Sequence, residues 1–89
     1  MLIALIAHDK HGALQTRLDN RDAHVAYLKS SGVVSQAGPL LNSDGDMCGS
    51  LIVLDVPDMA AAEAFVAGDP YGKAGLFDSV ELKAWNKVI

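Results

Sequence analysis

The stretch VVSQAGPLLNSDGDMCGSLIVLDV, residues 33–56, holds two strand-like runs on either side of a dense turn. Val33–Ala37 has strand chemistry and runs into Gly38-Pro39. Proline has no amide donor, so this strand is expected to lie at a sheet edge or to leave the sheet there. Asn42-Ser43-Asp44-Gly45-Asp46 is a cluster of turn formers. Beyond it, Gly49–Val56 reads as a strand buried on both faces. Together they predict a hairpin with a long loop, two neighbouring strands with no helix between them.

Working outward, residues 12–31 read as a helix. Leu14, Leu18, Val25 and Leu28 recur at spacings of 4, 7 and 3 and form one apolar stripe. Gly32 stands where a left-handed residue commonly ends a helix. After the hairpin, Asp58 is a candidate N-cap and Ala60–Ala64 are mostly strong helix formers, anchored by Phe65 and Val66 and ended by Gly68. Asp69-Pro70 opens a short further turn up to about Gly75. At the chain ends, Met1–Ala7 is an apolar strand. Residues 79–88 alternate as a half-exposed one, with Val80, Leu82 and Ala84 on one side and Glu81, Lys83, Trp85 and Lys87 on the other. The order β-α-β-β-α-β is the ferredoxin-like pattern: a four-stranded antiparallel sheet with two helices on one face. Leu2, Ala4 and Ile6 alternate with Ile3, Leu5 and Ala7, so the first strand has apolar residues for both faces of the sheet, which predicts a homodimer packed sheet to sheet.

Length and charge narrow the function classes. At 89 residues the chain is a single domain, and one of this size leaves so much surface unburied that an oligomer is the default expectation. Seven Lys and Arg against eleven Asp and Glu argue against a nucleic-acid binder, which needs a basic surface. The single cysteine, Cys48, excludes an intramolecular disulfide and a cysteine zinc site, and points to a reducing, cytoplasmic setting. No stretch approaches a membrane span, and Met1–Ala7 lacks the basic flank of a signal peptide. His8 and His11 are spaced as a ligand pair but have no third partner in sight, so no metal and no cofactor is expected.

Chemistry gathers on the first helix. Arg17, Arg21, His24 and Leu28 share a stripe about 60° wide beside the apolar one. It can build a small anion pocket with a histidine that moves protons near neutral pH. Local signals alone favour a solvated flank, with Arg17 paired to Asp9 or Asp22 and His24 satisfied at the core margin. Asp69 is a natural N-cap for the turn it opens, and one of its oxygens would remain for a histidine. Gly49-Ser50 allows close approach of a strand or a ligand, but Ser50 has no nucleophile signature. Tyr71, Phe77 and Trp85 read as core or interface aromatics.

Arg17, Arg21-Asp22-Ala23-His24, Ala37-Gly38-Pro39, Gly49-Ser50 and Asp69-Pro70-Tyr71, followed by Ala74-Gly75, together resemble the YciI-like (YCII-related domain) family almost end to end. The resemblance implies a ferredoxin-like fold of the dimeric α/β-barrel group. It also implies an active site on a His–Asp pair, with His24 matching the family histidine and Asp69 its aspartate. Arg17, Arg21, Ser50 and Tyr71 then fall to substrate binding. A few relatives act as dehydrochlorinases on chlorinated hydroxyquinone-type aromatics, and the wider superfamily includes muconolactone isomerases. The expectation is a cofactor-free enzyme of isomerase or lyase type acting on a small cyclic or aromatic anion. The alternative is a non-catalytic dimeric module that binds a small metabolite or supports a larger protein.

Overall fold

A computed structural model describes all 89 residues. The elements are β1 (Leu2–Asp9), α1 (Leu14–Ser31), β2 (Val34–Leu41), β3 (Met47–Asp55), α2 (Met59–Gly68), α3 (Pro70–Lys73) and β4 (Phe77–Trp85). The sheet runs β2-β3-β1-β4 and every pair is antiparallel. This is the ferredoxin-like fold, with β2 at one edge, where Pro39 needs no inter-strand donor. No helix is long and apolar enough to cross a membrane.

Strand alternation sorts β1 cleanly. Ile3, Leu5 and Ala7 turn toward the helices and are fully buried, facing Leu54, Ile52 and Ser50 of β3 in register. Val56, Ala62 and Phe65 complete this core. Each large apolar side chain so buried contributes about 1.5–3 kcal/mol. Leu2, Ala4 and Ile6 face the other way and are only half buried. In α2, Asp58 caps the N-terminus by accepting from the Ala61 amide at 2.8 Å, as its position predicts. Gly32 ends α1 with φ 72°, a conformation that glycine adopts without strain.

Two irregularities in the sheet shape the helix side. In β2 the register slips between Val34 and Gln36, leaving Ser35 as an extra residue. Strict alternation would put Val34 and Ala37 on opposite faces; the slip brings Val34, Ala37 and Pro39 to the same one. In the β1–β4 pair the register shifts beside Asp9, which faces Phe77 instead of Asp78. Phe77 therefore joins the helix side, where its ring meets Tyr71 edge-on at 6.1 Å. β4 accordingly begins at Phe77, two residues ahead of the sequence expectation, and ends at Trp85.

The inward face of α1 differs from the sequence reading. Leu18 is 47% exposed, whereas Arg17 and His24 are the two buried residues of the helix, at 2% and 5% exposure. The buried face lies about a quarter turn round from the apolar stripe. Partners from other elements make this possible: each inward polar group meets a matching one, so its burial carries no unpaired charge.

Candidate functional site

The polar face of α1 looks onto a cleft of about 430 Å³ between this helix and the β2–β3 hairpin. Val25 and Leu28 line it from α1, Val34, Ala37 and Pro39 from β2, and Met47 from β3. These make the apolar walls. Of the polar residues singled out by sequence, Arg17, Arg21, His24, Ser50 and Tyr71 all reach the same cleft, and Lys29 joins them at the rim.

His24 is held from behind. Its Nδ1 lies 2.7 Å from Oδ1 of Asp69, and both side chains are buried. Asp69 sits at the N-cap of α3, where Oδ1 also accepts the Tyr71 amide at 2.9 Å. The sequence reading assigned cap and histidine to different oxygens; here one oxygen serves both, so the cap and the pair are a single device. A carboxylate oxygen only accepts, so Nδ1 carries the hydrogen and Nε2 of the neutral ring is left with its lone pair. Nε2 has no protein partner, and no buried polar side-chain atom is orphaned. Nε2 therefore keeps access to the cleft that the ring lines.

The meeting of His24 and Asp69, 45 residues apart, depends on the next turn of α1. Tyr27 donates its hydroxyl to the Phe65 carbonyl at 2.8 Å and packs against Gly68, where any Cβ would strike the phenol. This clamp joins α1 to the end of α2, one residue before Asp69. Burial raises the Tyr27 pKa, and the Asp69 charge adds to it, so the phenol stays a donor.

Arg17 is fixed by Asp9 at the end of β1. Its Nε and one terminal nitrogen reach the two carboxylate oxygens at 2.7 and 2.9 Å, and that same terminal nitrogen donates to Ser50 Oγ at 2.9 Å. Both partners of the ion pair are nearly inaccessible. Of the partners considered from sequence, Asp9 is the one engaged. The charge is thus matched inside the protein. Arg21 and Lys29, which have no ion-pair partner, are the cations left to face an anion in the cleft.

Tyr71 occupies the space between Arg17 and His24. Two residues seven apart on a helix stand about 10.5 Å apart along its axis, enough to admit one ring. The imidazole stacks on the phenol ring at 3.8 Å and 14°, and the Arg17 guanidinium carbon lies over the ring at 4.6 Å. Burial raises the Tyr71 pKa, and the Arg17 and Arg21 charges oppose that rise without cancelling it. Desolvation works most strongly against the Arg17 charge, but Asp9 and, to a smaller extent, Tyr71 together outweigh it and the guanidinium pKa rises.

Sequence reading had Tyr71 as a core aromatic, or as a substrate contact through the resemblance; it is buried and also lines the cleft. Lys29 and Met47 were missed. The four-residue steps from Arg21 to Val25 to Lys29 are a signal that could have found the lysine. Ser50 lies inside β3, opposite Ala7 and Pro39, instead of at a strand end. Gly49 admits a strand: a Cβ there would collide with the Ala7 carbonyl oxygen. His8 and His11 have no third ligand, since no three His, Cys, Asp or Glu side chains cluster in a metal-holding arrangement.

Comparison with known proteins places this arrangement in a family. Residues 1–86 match the YCII-related domain. Protein YciI of Escherichia coli O6:H1 is 33% identical over a 97-residue alignment that covers 99% of each chain. The 5-chloro-2-hydroxyhydroquinone dehydrochlorinase TftG of Burkholderia phenoliruptrix AC1100, solved in complex with 2,5-dihydroxybenzoquinone, is 35% identical. It superposes with a TM-score of 0.90 over 97% of this chain and 94% of its own. Rv0793 of Mycobacterium tuberculosis, at 12% identity and a TM-score of 0.66 over the whole of both chains, shares the fold alone.

Proposed function

The chain belongs to the YCII-related domain family, and from that premise we propose that it is an enzyme in which His24 acts as general base on a small cyclic or aromatic anion. The observation that carries this reading is the His24–Asp69 pair: Nδ1 is engaged at 2.7 Å and Nε2 is open to the cleft. Asp69 sets the tautomer and holds the ring, and the Tyr71 stack prevents it from turning away. Nε2 takes the proton of a substrate C–H or O–H bond. The electron pair of that bond enters the ring system. In an elimination a leaving group then departs with its bonding pair; in an isomerisation the proton returns to a different carbon. TftG, a dehydrochlorinase that binds a dihydroxybenzoquinone, supports the elimination and a substrate of hydroxyquinone type. Arg21 and Lys29 at the rim complement the negative charge of such a substrate.

The test is turnover across a panel of chlorinated hydroxyquinols and small lactones. His24→Ala is expected to lower turnover at least 100-fold with the fold retained by circular dichroism. Asp69→Asn keeps the N-cap but loses the carboxylate, and is expected to lower kcat more than it raises KM. Full activity in His24→Ala would end this reading. Ligand-induced stabilisation without turnover of any panel member would favour a binding module.

The assembly we propose is a homodimer. The sheet face away from the helices carries Leu2, Ala4 and Ile6 of β1 beside Leu51 and Val53 of β3, and a second copy packed sheet to sheet would cover it.

A further inference from the structure

The cleft extends well past the reaction centre. Its volume of about 430 Å³ falls in the range of about 300–1,000 Å³ that takes drug-sized ligands, more room than one substituted ring fills. His24 stands toward one end of it, backed by Asp69 and stacked on Tyr71. From there the cleft continues along α1 to Gly32, where the helix ends.

The lining changes along that path. Arg21, Val25 and Lys29 follow at four-residue steps, so each side chain stands about 6 Å further along the helix and only about 40° further round it. Lys29 thus lies about 7.5 Å beyond His24 along the axis. β2 runs back beside α1. Pro39, opposite Ser50, lies at the Arg17 end, and Val34, just past Gly32, lies at the Lys29 end. Between His24 and Lys29 the walls are therefore Val25 and Leu28 on the helix, with Val34 and Ala37 across from them. None of these side chains can hydrogen-bond.

Charge completes the pattern. No acidic residue lines the cleft, and the Arg17 charge is already matched by Asp9. Lys29 is exposed and has no ion-pair partner. Arg21, the other unpaired cation, lies on the far side of His24, about 4.5 Å toward the start of the helix. Lys29 is thus a lone cation set apart from the histidine by an apolar passage. It also stands in the last turn of α1, where a cation complements the carbonyl end of the helix. That second role acts on stability and is indifferent to ligand, so the two are separable.

We infer that the Lys29 end of the cleft is a second subsite, which takes an apolar arm ending in a carboxylate on a substrate whose ring is seated at His24. The inference rests on the proposed seat of the ring beside His24 and adds to it the second part of the substrate. The passage supplies contact area for the arm, and the ammonium fixes which end of the ligand points outward.

The experiment measures binding by calorimetry for aryl carboxylates whose arm grows stepwise: benzoate, phenylacetate, phenylpropionate and phenylbutyrate, each beside its uncharged primary amide. Shifts of the His24 imidazole resonances report the seat of the ring. Affinity is expected to rise along the acid series, with the longer acids binding about 5-fold or more tighter than their amides at low ionic strength. Lys29→Met keeps an apolar stem and loses the charge. It is expected to bring the acids down to the affinity of the amides and to leave the amides unchanged. No binding by any acid, equal affinity of acid and amide, or an acid preference that survives Lys29→Met would overturn the subsite. So would a Lys29-dependent preference with no shift at His24, or an equal loss of acid and amide binding in Lys29→Met. His24→Gln separates the subsite from the base. A Lys29-dependent acid preference with full turnover in His24→Gln would support the subsite and remove the base. Turnover that needs His24, without any acid preference, would remove the subsite and leave the base standing.

Discussion

Asp9 makes Arg17 tolerable in the interior. The carboxylate closes a two-point hydrogen-bonded pair with a guanidinium that is otherwise surrounded by protein. Removing one partner of a buried pair leaves the other as an uncompensated charge, which costs far more than the pair itself contributes. Asp9→Asn is therefore expected to destabilise the fold by about 3–5 kcal/mol, read as a fall in the urea midpoint at unchanged slope. It should also loosen the Tyr71 sandwich, so turnover falls in the fraction that remains folded. A midpoint within experimental error of the wild type would show that Arg17 finds water or another acceptor. From sequence, Asp9 was one of two candidate partners for Arg17. Nothing local distinguishes it from Asp22, because the choice depends on where the end of β1 passes α1. Likewise the family resemblance marked His24 and Asp69, whereas the single shared oxygen and the stacked ring needed α3 in place.

At the scale of elements, the site is set by close approaches and slipped registers. Gly49 lies opposite His8 on β1 and Leu40 on β2, and its Cα is so close to the Ala7 carbonyl that no side chain fits. Ser50 follows directly, so the position of its hydroxyl is tied to that contact. Gly49→Ala must part β1 from β3 locally, an overpacking expected to cost about 1–3 kcal/mol. Amide exchange should quicken at residues 6–8 and 49–51 before it does in α2. Unchanged protection there would mean that the strands have slack. The order of strands and helices was legible because each has its own period and punctuation: the turn cluster at 42–46, Gly32, Asp58 and Asp69-Pro70. The slips at Ser35 and Asp78 were not legible. A bulge is a feature of a pair of strands, and neither strand announces it alone.

For the whole molecule, the uncovered sheet face is what the proposed dimer rests on. Leu51, 43% exposed in the single chain, stands on it beside Ile6. The proposed dimer predicts sedimentation at twice 9.4 kDa at micromolar concentration, and Leu51→Asp should return it to the single chain, since an unpaired carboxylate in an apolar interface is costly. A wild-type species of 9.4 kDa would refute the dimer. By itself the sequence determined the β-α-β-β-α-β order and pointed to an edge position for β2 as one of two options at Pro39, because hydrophobic period, turn formers and proline act locally. Tertiary structure alone decided which face of α1 turns inward. The apolar stripe pointed to Leu18, yet Arg17 and His24 are buried, because Asp9, Ser50 and Asp69 arrive from other elements to satisfy them. A hydrophobicity pattern weighs each side chain alone, whereas the cost of burying a polar one depends on partners that only the folded chain brings into reach.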